Sequence, residues 1–213
     1  MRERHVTESR TDLPPLRRKP VQERSAKRVE RMLDAAAELL AEEGYDALTT
    51  TLVAKRSGVA VGSLYQFFPD KRAIVQALTH RNLERFLSAV GERFQGVDHQ
   101  SWWEIVDSLL DIYLQMHRDV PGFSRVHFGD AVDVQLLDTE RTNNGVITDA
   151  LADLVANHVD VPRDEVGLPI SIAVEAADSL LKFAFRTDPD GDPQVVAETK
   201  ALIKTYLASR FGD

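Results

Sequence analysis

A chain of 213 residues, 43% hydrophobic and 28% charged, has the makeup of an ordinary globular protein and room for one large or two smaller packed units. It contains no cysteine, which excludes disulfides, thiolate nucleophiles and cysteine-held zinc. The net charge of −8 is unevenly spread: residues 1–72 carry 14 Lys and Arg against 11 Asp and Glu, and the remainder 12 against 23. A basic end on an acidic body is a polarity that turns a molecule toward a polyanion. No apolar run approaches the ~18–20 residues of a bilayer span, and the first twenty residues lack the apolar stretch of a secretory signal. The expectation is a cytoplasmic protein without membrane contact.

Residues 1–20, with three prolines and many charges, read as a flexible basic arm. A helix follows from Arg24, where Val29, Met32, Leu33, Ala36, Leu39 and Leu40 form one apolar stripe that Gly44 closes. A second helix runs from a Thr49 or Thr50 cap to Ser57, and a third covers about 61–67 before Pro69. Asp70 caps a fourth that reaches about Phe94. Further helices are expected at about 100–117, 132–158 and 164–186, the last of these ending in an Asp188-Pro189-Asp190-Gly191 turn. Asp192 then caps a final helix with Pro193 at its first position. No segment alternates as a strand would. The fold class is all-α.

The stretch Thr49–Phe68 carries the function. A helix-turn-helix needs a small residue where its helices cross, here Ala54, and a residue tolerant of positive φ in the turn, here Gly58. Val53, Val59, Leu64 and Phe68 are spaced to lock the two helices together. Val61, Gly62, Ser63, Gln66 and Phe67 are left facing outward. Small residues there allow a close approach to the major groove, and the Gln66 amide can pair with adenine.

These residues, with Arg31–Ala36, Leu39, Gly44-Tyr45, Leu64-Tyr65 and Lys71, resemble the tetracycline-repressor (TetR) family of bacterial regulators over roughly 45 residues. The resemblance implies a three-helix DNA-binding domain at 21–72, a helical effector-binding and dimerisation domain at 73–213, and a homodimer on a pseudo-palindromic double-stranded DNA operator. Its DNA contacts fall on Thr49, Thr50 and Thr51, on Val61, Gly62, Ser63, Tyr65, Gln66 and Phe67, and on Lys71. Thr51 stands where a long polar residue is frequent and Phe67 where histidine is common, which bears on the operator sequence rather than on the fold. Thr49 can serve as cap and phosphate contact together. Lys71, at a helix N-terminus, is placed for a phosphate, while Arg10, Arg17, Arg18 and Lys19 of the arm either enter a minor groove or belong to a solvated tail.

An enzyme finds little support. The six histidines make no His-Glu-x-x-His motif, so no metal is expected. The Asp188, Asp190, Asp192 spacing of a calcium loop fails at Pro193 and Thr199. No cofactor is expected. Three readings stand: a ligand-released repressor, a DNA-binding regulator with no small-molecule effector, and, more distantly, a helical enzyme using His117 or His127.

Two sites remain to be placed. Phe86, Trp102, Trp103, Tyr113, Met116, Phe123 and Phe128, interleaved with His117, His127, Asn143 and Asn144, can build a largely apolar effector pocket or simply fill a core. Residues 170–185 are apolar on nearly every face. The stripe of Ala173, Ala177, Leu180 and Ala184, with Leu202 and Tyr206 of the last helix, is expected to form a two-fold, four-helix interface.

Overall fold

The computed structural model describes residues 23–95, 101–126, 143–186 and 188–212, all of them in helices and their connections. The arm therefore lies outside the described residues, as do His127 and Phe128.

Helix α1 (Glu23–Ala47) buries its apolar stripe completely and breaks its regular geometry at Gly44, whose φ of 80° only glycine adopts without strain. Helix α2 (Thr50–Ser57) is capped by the Thr49 hydroxyl, which accepts from Leu52 N at 3.2 Å. Gly58 ends it in the left-handed region, with φ of 65°. Helix α3 (Val61–Leu64) is a single turn, shorter than the expected 61–67. The chain tightens after it: Phe67 N donates to Leu64 O, three residues back, at 2.9 Å.

Helix α4 (Lys71–Phe94), capped by Asp70, joins two cores. Its Ala73, Ile74, Ala77 and Leu78 pack with α1, α2 and α3, whereas its Leu83, Phe86 and Val90 pack in the body. The chain thus changes cores inside α4 rather than at residue 72. Arg81 fastens the crossing to α1. It is 6% exposed, and its Nη1 lies 2.7 Å from Asp34 Oδ1 and 3.1 Å from Glu30 Oε2.

The body consists of α5 (Trp102–Asp119), α6 (Asn143–Ala156), α7 (Arg163–Ala184) and α8 (Pro193–Phe211). The Ser101 hydroxyl caps α5, and Asp192 caps α8 beside Pro193. The helix expected at about 132–158 is described from Asn143 and ends at Ala156. After α5, Gly122 (φ 71°) leads into a 3-10 turn at Phe123–Arg125. That turn carries Val126 back into the head core beside α1.

Candidate functional site

The first site is the outer face of α2 and α3. Ala54 is buried at the helix crossing, and Val53, Leu64 and Phe68 are sealed around it. Val59 N donates to Ala54 O at 3.0 Å across the Gly58 turn. The Arg31 guanidinium also holds Ser57 O from α1. This rigid base leaves a coherent set outside. Thr50 Oγ1 and Tyr65 Oη lie 3.0 Å apart, tying the start of α2 to the end of α3. Thr49, Thr51, Gly62 and Gln66 are exposed, Val61 is 40% exposed and Tyr65 44% exposed, while Thr50 and Ser63 are half-buried. Among the described residues no atom outside its own local backbone would meet a Cβ on Gly62 within 4 Å, which leaves room for a close approach there.

Phe67 departs from its expected outward position. It is 5% exposed and belongs to the head core, because α3 stops at Leu64 and the tight turn after it rotates the ring inward. Lys71 has a structural role as well. Its Nζ donates to Tyr45 O at 3.3 Å and stands 4.3 Å over the Tyr45 ring. The N-terminus of α4 is already occupied by the Asp70 carboxylate, which accepts from Ala73 N at 2.9 Å. The head is also less basic than the first 72 residues suggest. Residues 23–72 carry eight Lys and Arg against eight Asp and Glu, so the whole excess lies in residues 1–22.

The second site is a narrow cavity of about 60 Å³ enclosed by α4, α5, α6, α7 and α8. Phe86, Tyr113 and Asn144, all expected, line it. Tyr113 Oη donates to Asp178 Oδ1 at 2.6 Å, and Asp178 Oδ2 receives the Lys182 ammonium at 2.9 Å. The other expected pocket residues are elsewhere. Trp102 donates from Nε1 to Gly212 O at 3.0 Å and packs edge-on against Trp103 and Phe211. Trp102 thus fastens the start of α5 to the end of α8. Met116 lines a separate groove between α4 and α5. Asn143, half-buried, does not line the cavity. His117 and Phe123 form the layer beside it: His117 stacks on Phe185 (4.3 Å, 15°), and its ring centroid is 4.8 Å from those of both Tyr113 and Phe123.

Family models match both parts of the chain. The model of the C-terminal domain of tetracyclin repressor-like proteins matches residues 100–211, and that of bacterial regulatory proteins of the tetR family matches residues 32–78. The chain belongs to the TetR family. A solved TetR-family transcriptional regulator from Streptomyces coelicolor is 39% identical over 85% of this chain and 98% of that one, with a TM-score of 0.71. The class D tetracycline repressor of Escherichia coli is 33% identical over 56% of this chain and 53% of its own. An uncharacterized HTH-type transcriptional regulator of Bacillus subtilis, YvdT, is 29% identical over 43% of this chain and 47% of its own. The chain thus spans about half the length of these curated relatives.

As a TetR-family helix-turn-helix regulator, the protein has one more surface to assign. Ala173, Ala177 and Ala184, expected at a subunit interface, are 4%, 9% and 0% exposed within their own chain, with Ala173 and Ala177 against the cavity. The outward face of α7 is instead formed by Ile172, Ala176, Leu180 and Phe183. These share an open groove with Leu202 and Tyr206 of α8. Ile172, Phe183 and Leu202 are 46%, 50% and 51% exposed. A helix apolar on nearly every face gives periodicity little to choose with, and close packing on α6 drew the small side chains inward. Asp178 and Lys182 were missed for the same reason. Their signal is a carboxylate in an otherwise apolar stretch with lysine four positions on.

Proposed function

We propose that this protein is a homodimeric repressor that occupies a pseudo-palindromic operator and is released when a small, largely apolar molecule enters the cavity. The observation that carries the reading is the joined Thr50–Tyr65 pair on an exposed face with Val61, Gly62 and Gln66. Hydroxyls at the α2–α3 junction suit phosphate oxygens, Val61 suits a thymine methyl, and the Gln66 amide suits adenine. Duplication of this face across a two-fold axis gives two half-sites about one helical turn apart. The α7–α8 groove supplies apolar surface for that axis. Contiguous exposed apolar surface of this kind marks an interaction site.

Release follows from linkage. A ligand that binds the DNA-incompetent form more tightly must be bound more weakly when operator is present, by the same factor. Because α4 lines the cavity through Phe86 and begins beside the recognition unit, movement of its body half is transmitted to the heads. The test is operator affinity by fluorescence anisotropy with and without ligand. A protein that binds no DNA in its own promoter region overturns the reading. Operator binding that no small molecule weakens favours the regulator without an effector.

A further inference from the structure

We infer that the cavity takes an uncharged molecule: an apolar, ring-sized body with one acceptor oxygen that docks on Asn144 Nδ2. The inference rests on the effector reading above and names the chemistry of that ligand.

The decisive atom is a buried donor. Asn144, on the first turn of α6, is 2% exposed and lines the cavity, and its Nδ2 is buried with no hydrogen-bond partner among the described residues. Interiors rarely leave an amide N–H in this state, because its lost hydration is not repaid. The walls are otherwise apolar, apart from Tyr113 and Asp178, which are engaged with each other. A water needs two to four polar partners to be held. An organic oxygen carried on an apolar body meets both demands of the space.

The charges exclude ions. Asp178 is 6% exposed and already balanced by Lys182. Among the described residues no Lys, Arg or His lines the cavity. A carboxylate ligand would bring a second negative charge beside Asp178 in a low-dielectric space. A cation would have to displace Lys182, since among the described residues no second carboxylate lines the wall. Size completes the argument. An apolar cavity of ~150 Å³ holds benzene, and this one is about 60 Å³. A ring therefore enters by pushing apart Phe86 of α4, Tyr113 of α5 and Ala177 of α7, which gives binding a mechanical consequence.

Three probes with one ring and different substituents test this by titration calorimetry on the full chain: acetophenone, ethylbenzene and benzoate. Acetophenone is expected to bind at least tenfold more tightly than benzoate and several-fold more tightly than ethylbenzene. Asn144→Leu should abolish the preference over ethylbenzene while ethylbenzene still binds. It should also raise the thermal midpoint of the ligand-free protein by about 2–4 °C, because an unpaired donor is removed. Asn144→Asp, of nearly equal volume, replaces the donor with an acceptor and should also lose acetophenone. Benzoate binding as tightly as acetophenone, an unchanged preference in Asn144→Leu, a lowered midpoint in that variant, or no binding of any probe overturns the inference. Acetophenone that binds as expected but leaves operator affinity unchanged supports the ligand class and overturns ligand-driven release. Release by benzoate alone does the reverse.

Discussion

Gly122 stands so close to α1 that a Cβ on it would lie 2.6 Å from the carbonyl oxygen of Ala37. The next residue, Phe123, is completely buried and reaches the cavity layer, 5.5 Å from the Tyr113 ring and 4.8 Å from His117. The body therefore touches the DNA-binding head at two places, through α4 and through this turn. Substitution at Gly122 strikes the second one in two ways, since its φ of 71° also disfavours any side chain.

Gly122→Ala is expected to destabilise the protein by about 1–3 kcal/mol, the usual cost of a strained backbone position. Its more telling effect is on coupling. With the turn displaced from α1, ligand should shift operator affinity less than in the wild type while binding the cavity equally well. Urea unfolding measures the first effect, and operator titrations with and without ligand measure the second. Unaltered coupling would leave α4 as the sole route.

On the DNA side, Lys71→Ala should weaken operator and non-specific DNA alike and reduce the slope of log affinity against log salt by about 0.9 per subunit. Because Lys71 also donates to Tyr45 O, the thermal midpoint must be followed in parallel to separate phosphate loss from a loosened head. Tyr65→Phe removes the hydroxyl that lies beside Thr50 Oγ1. It should weaken operator binding several-fold with little change in stability, since both groups are solvent-accessible. A change at Gln66 should instead alter preference at one base position.

Lys200 gives a pH-dependent check on the body. Its ammonium lies 2.8 Å from Asp107 and 2.6 Å from Asp111, joining α8 to α5. Burial pushes its pKa down, but hydrogen bonds to the two aspartates outweigh burial and hold it above the ordinary 10.5. A lysine with a raised folded-state pKa contributes stability that is complete below the unfolded value and is lost as pH rises through the folded one. Lys200→Met should therefore cost stability at neutral pH, and the gap to wild type should close as the pH rises past the ordinary lysine value and through the raised one. The magnitude stays below about 1 kcal/mol, because the three side chains remain partly in water. Denaturant midpoints across that range measure it.

The head was legible in the sequence because its rules are local. Thr49 caps, Ala54 crosses and Gly58 turns, each where its chemistry requires. Asp70 and Asp192 marked the starts of α4 and α8 for the same reason. Phe67 was misread because its direction depends on where a four-residue helix stops, which no apolar pattern records. In the body, the inventory of bulky and polar side chains included Phe86, Tyr113 and Asn144, which line the cavity. It could not separate them from Trp102, whose partners Gly212 and Phe211 lie over a hundred residues away at the end of α8, or from Trp103 packed against it. Asp178 and Lys182 went unseen inside a helix read as purely apolar.

That helix yields a contrast between two substitutions six residues apart. Phe183 is 50% exposed on the groove shared with Leu202, whereas Ala177 is 9% exposed against the cavity. If the groove is the subunit interface, Phe183→Arg places a charge at its centre, where an unpaired charge is costly. The variant should sediment as a folded monomer at micromolar concentration, with its helical circular dichroism retained and its operator affinity greatly reduced. Ala177→Arg instead forces a long cation into an enclosed space of about 60 Å³ beside Phe86 and Tyr113. It should lower the thermal midpoint sharply, by the overpacking and buried-charge effects that dominate large losses. Sedimentation velocity and thermal melts of both variants decide the matter. A Phe183→Arg protein that keeps the wild-type mass would remove the α7–α8 groove from the interface.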